Sequence, residues 1–263
     1  MGSKPWSQNT DWRILSPAMT HLQIEIYPDR QALVSRSLAL VKERIQAAIA
    51  ARGTCAIALA GGSTPKPLYE ALAEADLPWA QLQVFWGDER YVPVSDPSSN
   101  AGMAKTAWLD RVAIPTEQIH IMPTHFEQVA DAAETYDQTV QRALNSAHPA
   151  FDIVLLGMGD DGHTASLFPH TAALQVSDRL ITVGEKSGEP RLTFTATLIN
   201  QSRCVIFMVS GRNKQTALTE VFAPAADDNT FPARKICPEG ELWWLLDADA
   251  GEPIKTLPGV QVG

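Results

Sequence analysis

The chain has 263 residues, is 45% hydrophobic and 19% charged, and carries a formal net charge of −9 at pH 7. That acidic balance excludes nucleic acid as the main partner, because backbone binding needs a cationic surface. No apolar run reaches the ~18–20 residues of a membrane-spanning helix, which excludes a helical span.

Residues 1–20 are polar, proline-punctuated and without an apolar h-region, so they read as a loosely held tail and not as a secretory signal. Residues 21–263 read as a single α/β domain. LQIEIY (22–27) predicts a strand. Between Asp29 and Arg52, the residues Val34, Leu38, Val41, Ile45 and Ala48 recur at spacings of three and four. They predict a helix stopped by Gly53. Strand TCAIALA (54–60), turn GGST and a helix from Pro65 follow, then strand LQVFWG (82–87) and a charged turn, DER. A Pro/Ser-rich loop leads to a helix near 100–109. IHIM (119–122) predicts a short strand and 126–145 a helix with Val129, Ala133, Tyr136, Val140 and Leu144 on one face. FDIVLLG (151–157) predicts a buried strand. RLITV, RLTFTA and CVIFMVS (204–210) come next, then a helix over 213–222, and ELWWLLD (241–247) closes the chain as a strand.

Strands alternating with helices, several of them continuously apolar, indicate a mostly parallel, doubly wound α/β sheet with helices on both faces. Such sheets bind ligands beyond the carboxyl ends of their strands. The turns after residues 60, 87, 157 and 209 are therefore the candidates. Cys55, Cys204 and Cys237 are odd in number and lack zinc or C-x-x-C spacing. Cys55 and Cys204 lie in apolar runs, which suits packed, reduced thiols and a cytoplasmic protein.

In the first turn, Gly61 and Gly62 allow close backbone approach to a ligand, while Thr64 as N-cap and Pro65 at the first helical position aim free amides outward. The turn is either an anion site or simply a well-capped helix start. It is not a Walker loop, and Pro65 breaks the G-x-S-x-G pattern of a nucleophile elbow. In the second turn, Asp88, Glu89 and Arg90 are either solvated or aimed into a cleft. In the fourth, Arg212 and Lys214 stand where a helix dipole disfavours cations, which points to a bound anion. The third, GMGDDGH (157–163), matches G-x-G-x-x-G behind a strand, yet Pro169 follows too soon for a crossover helix. Asp160 and Asp161 would also repel a pyrophosphate. The alternative is a working pair, His163 as general base steadied by Asp161. A metal at Asp160, Asp161 and His163 is a third option, without a further ligand cluster in the sequence.

Together and in order, LAGGSTPKPLYEAL (59–72), VFWGDERYVP (84–93) with SSN (98–100), FDIVLLGMGDDGHTASLFP (151–169), PRLTFT (190–195), VSGRNK (209–214) and LWWLLD resemble the 6-phosphogluconolactonase family. The resemblance implies a glucosamine-6-phosphate-deaminase-like fold and hydrolysis of 6-phospho-D-glucono-1,5-lactone to 6-phosphogluconate in the oxidative pentose phosphate pathway. It implies no cofactor, no metal, no membrane and no obligatory protein partner, only a small sugar-phosphate lactone. By motif, His163 corresponds to the family's acid–base histidine, with Asp161 beside it. Gly61, Gly62, Ser63, Thr64, Asp88, Arg90, Arg191 and Lys214 correspond to the lining of the phosphate and sugar site. The sequence departs from the family pattern at Asp160, where proline is frequent, and at Phe194 and Ala196. A rival of the same fold is an amino-sugar-phosphate deaminase or isomerase with Asp88 as its base, although Asp-Glu-Arg suits the lactonase pattern better. A sugar-phosphate-sensing regulator would need a helix-turn-helix domain, for which the N-terminal region has no room.

Overall fold

The computed structural model describes residues 21–146 and 148–263; the tail expected over 1–20 lies outside them. Strand β1 (Leu22–Tyr27) leads into helix α1 (Arg30–Arg52). Asp29 caps α1 by accepting from the Ala32 amide at 2.8 Å, and Gly53 ends it at φ 80°. Glycine suits that left-handed turn because it has no Cβ to clash. The helical period holds, but the buried stripe is turned by one residue. It runs through Leu33, Ser37, Leu40, Val41, Ile45 and Ala48, with Val34 and Leu38 on its flank. Ser37 can be buried because its hydroxyl donates to the Leu33 carbonyl at 2.8 Å.

Next come β2 (Cys55–Leu59), α2 (Lys66–Ala73) and β3 (Leu82–Trp86). They are followed by β4 (Asp88–Arg90), α3 (Asn100–Ala107), α4 (Val129–Ala143) and β5 (Ile153–Leu156). The chain continues with β6 (Ile181–Lys186), β7 (Glu189–Phe194), α5 (Ala196–Asn200) and β8 (Cys204–Val209). It ends with α6 (Gln215–Phe222), β9 (Glu241–Asp247), α7 (Ala248–Gly251) and β10 (Val260–Val262). Seven strands form one parallel sheet in the order β10-β1-β9-β8-β5-β2-β3. This is the expected doubly wound α/β sheet. Strands β2, β5 and β8 are buried at every position, so both faces of the sheet's middle are covered. From β2 the chain steps outward to β3, then returns through β5, β8 and β9 on the other side. The reversal lies between β2 and β5, where a doubly wound sheet opens a crevice at its carboxyl edge.

Three expected elements need correction. DER is not a turn but strand β4, which joins RLITV and RLTFTA in a second, antiparallel sheet of order β4-β7-β6. The β6–β7 hairpin turns on Ser187 and Gly188, both at positive φ (55° and 84°), as a two-residue type I′ turn requires. IHIM is not a strand; a single bridge ties Ile119 to Val84. ELWWLLD does not close the chain, because β10 follows and pairs with β1 at the sheet edge.

Candidate active site

A cleft of about 350 Å³ opens at the β2–β5 reversal, lined by the turns after β2, β3, β5 and β8 and by the second sheet. Gly61, Gly62, Ser63, Thr64, Asp88, Arg90, His163, Arg191 and Lys214 all line it. Asp161 stands behind His163.

The turn after β2 is held from both sides. The Tyr69 hydroxyl donates to the Ala60 carbonyl at 2.7 Å and accepts from its amide at 3.0 Å. Arg30 donates to the Ser63 carbonyl. Gly61 is required by close approach, since a Cβ there would lie 1.8 Å from Asn100 Oδ1. The capping expectation for Thr64 fails: α2 starts one residue later, Pro65 is itself in the cap position, and no side chain caps it. The Thr64 hydroxyl is thus left on the cleft wall.

The GMGDDGH turn is closed by its own backbone, with the Gly159 amide on the His163 carbonyl (2.8 Å) and the Gly162 amide on the Gly159 carbonyl (3.2 Å). From outside, the Ala233 amide donates to the Gly162 carbonyl at 2.9 Å. Asp161 Oδ1 accepts from the His163 amide at 3.1 Å and contacts the ring Nδ1 at 2.5 Å. Gly159 makes room for this pair, because a Cβ there would fall 2.0 Å from His163 Nδ1. Partial burial works to raise the Asp161 pKa. The bonds from the His163 ring and backbone, with the charges of His163 and Lys186, outweigh it and hold the carboxyl down at about 2. An ionised carboxylate only accepts, so Nδ1 carries the proton and Nε2 is the ring nitrogen left with a lone pair.

Beyond β3, the three charges diverge. Asp88, 8% exposed, accepts from the Ser166 hydroxyl at 2.7 Å, and its backbone carbonyl accepts from Asn100 Nδ2 at 2.8 Å. Glu89 faces away from the cleft and is 1% exposed. It accepts from the Arg90, Asn100 and Ala101 amides at 2.7–2.8 Å and from the Ser99 hydroxyl at 3.0 Å, holding the first turn of α3. Burial pushes its carboxyl above the ordinary range against the pull of those bonds. Glu89→Ala strands the buried Asn100 and Ala101 amides and the half-buried Arg90 amide, so the variant loses roughly 3 kcal/mol. Differential scanning calorimetry should then show Tm lowered by about 6–12 °C.

Strand β4 pairs Arg90 directly opposite Arg191 on β7. Like charges in that register repel. Burial, then the neighbouring Arg90, draws the Arg191 pKa down, and its Nε is buried without a partner. Lys186, at the end of β6, lines the same wall. Across the cleft Lys214 lies in a 3-10 turn (Arg212–Lys214) just before α6. Among the described residues, Lys186, Arg191 and Lys214 make no ion pair, whereas Arg212 is 82% exposed and pairs with Asp249 at 2.9 Å. The anion expectation therefore narrows to Lys214.

Asn100, Ser166 and Lys186 were not among the residues expected at this site. Asn100 sits in the quoted SSN motif and Ser166 in the HTAS run, but no spacing rule links either to Asp88. Lys186 is brought in by the second sheet. Among the described residues, no three His, Cys, Asp or Glu side chains form a group able to hold a metal ion. Nor is any helix among them long and apolar enough to cross a membrane.

Residues 28–244 match the family model described as glucosamine-6-phosphate isomerases/6-phosphogluconolactonase. The chain is 59% identical to a protein of a Nostoc species named 6-phosphogluconolactonase, over 88% of this chain and 98% of that one. A Synechocystis protein of the same name is 56% identical, over 89% and 98%. Among solved structures, 6-phosphogluconolactonase from Trypanosoma cruzi superposes with a TM-score of 0.79 at 28% identity, covering 89% of this chain and 99% of that one. By this match over most of its length, the chain belongs to the glucosamine-6-phosphate isomerase/6-phosphogluconolactonase family.

Proposed function

We propose that residues 21–263 act as one lactonase domain that hydrolyses 6-phospho-D-glucono-1,5-lactone to 6-phosphogluconate. The observation that carries this reading is His163, backed on Nδ1 by Asp161 at 2.5 Å, facing a cleft lined by Lys186, Arg191 and Lys214, none of which makes an ion pair among the described residues. The high identity to two proteins named 6-phosphogluconolactonase supports it.

Hydrolysis needs an activated water, a stabilised oxyanion and a protonated leaving oxygen. His163 Nε2 takes a proton from water as its oxygen bonds to the lactone carbonyl carbon. The tetrahedral oxyanion is met by backbone amides of the Gly-rich turns or by Arg90. As the carbon–ring-oxygen bond breaks, the imidazolium returns its proton to the departing alkoxide. The 6-phosphate lies against the Ser63–Thr64 turn, Lys186, Arg191 and Lys214, which fixes the ring relative to His163.

Incubation with freshly made phosphogluconolactone, followed by acid release, should show rapid turnover, while glucosamine 6-phosphate should release no ammonia. The opposite pair of results would turn the assignment to the deaminase reaction. Against that rival, Asp88 is engaged by Ser166 and lies close to Asn100 Nδ2 (3.4 Å), so it is poorly placed as a free base. Lys214→Ala should raise KM for the phosphorylated lactone roughly ten- to a hundredfold, the scale of one charge-assisted hydrogen bond. Unphosphorylated glucono-1,5-lactone should show no such change, and an unaltered KM for both removes Lys214 from the phosphate site.

A further inference from the structure

Phe168 is only 5% exposed, yet it stands outside the contiguous apolar core that takes in the other buried hydrophobic side chains. Its neighbours are the working groups of the cleft. The His163 ring lies 4.4 Å away, centroid to centroid, tilted by 42°. Lys186 Nζ sits over the ring at 5.4 Å and the Arg191 guanidinium carbon at 5.6 Å. These three groups come from different elements: the loop after β5, the end of β6, and β7. The segment that delivers Phe168 is bracketed by two non-glycine residues in left-handed conformation, Ala165 at φ 47° and His170 at φ 58°. Such conformations persist only where the surroundings enforce them, and they cluster at functional sites.

We propose that Phe168 is a positioning residue, an electron-rich platform that holds Lys186 and Arg191 ready for the substrate phosphate beside His163. Neither cation has an ion-pair partner among the described residues, and the two share one small wall. An aromatic face attracts both through its quadrupole without neutralising either. It also removes rotamer freedom from two long side chains before the ligand arrives. An aliphatic side chain would fill the space and do neither.

The inference rests on the reading that these cations hold phosphate, and its test separates the two. Phe168 is replaced by phenylalanine carrying one, two or three ring fluorines, which withdraw electron density with little change of shape. At unchanged Tm, KM for the phosphorylated lactone should climb stepwise, reaching about tenfold with three fluorines. KM for unphosphorylated glucono-1,5-lactone should stay level. A flat KM across the series overturns the platform. Lys186→Ala and Arg191→Ala are measured in parallel: if both raise KM for the phosphorylated lactone while fluorination does not, only the platform fails. If neither raises it, the phosphate assignment itself falls, and the platform with it.

Discussion

His163→Ala lowers kcat for 6-phosphogluconolactone by at least about a hundredfold, within the range of ~10²–10⁴ that positioned acid–base groups contribute. KM changes little, because the cations proposed to hold the phosphate reach the cleft from other elements. The loss is large because, in the proposed mechanism, one nitrogen serves two steps, taking a proton from water and returning it to the ring oxygen. Without it both transfers fall to bulk water, and only the oxyanion donors and the positioning of the substrate remain. Stopped-flow monitoring of acid release separates this rate from the spontaneous opening of the lactone. Wild-type turnover in the variant would remove the histidine from the mechanism.

The central sheet was legible because its strands are apolar at every position and its helices carry a 3.6-residue period. The site turns were legible for the same reason, since a parallel sheet puts its crevice at carboxyl strand ends. What was not legible was the second sheet. DER looked like a charged turn, either solvated or aimed into a cleft, because a strand of three residues has no period to read. Its partners β6 and β7 were seen as strands but not as a hairpin, although Ser187-Gly188 is an admissible two-residue turn. Missing that sheet meant missing Lys186 and the buried cap made by Glu89. The α1 stripe went astray by one residue at Ser37, a polar side chain hidden by a bond to its own helix, which hydrophobicity alone cannot detect.

The division of labour between the two sheets follows from their topology. The parallel sheet supplies the Gly-rich turn, His163 and Lys214 from the ends of β2, β5 and β8. The small antiparallel sheet sets two arginines opposite each other and adds a lysine. Facing arginines repel one another, eased by the nearby carboxylates of Asp88, Glu89 and Glu189, and a phosphate held between them, as proposed above, would relieve the rest.

Asp161→Asn should cost almost as much kcat as loss of the histidine, on the order of 10²–10⁴-fold, although no atom of Asp161 need touch the substrate. The carboxylate is held down at about 2 and is ionised throughout the working range, so it can only accept and it keeps the proton on Nδ1. An amide can also donate. When its NH2 group faces Nδ1, the tautomer reverses, Nε2 carries the proton, and the base is gone. Stability hardly suffers. A carboxyl with a depressed native pKa stabilises the fold above its unfolded value, and that contribution is lost only as pH falls from 3.8 through about 2. For a half-exposed group, screening leaves about 1 kcal/mol or less. The variant should therefore melt within about 3 °C of the parent while turning over far more slowly. Because the two residues act as one unit, D161N combined with H163A should be no slower than H163A alone. Multiplicative losses in the double variant would show that Asp161 acts on the lactone through something other than His163.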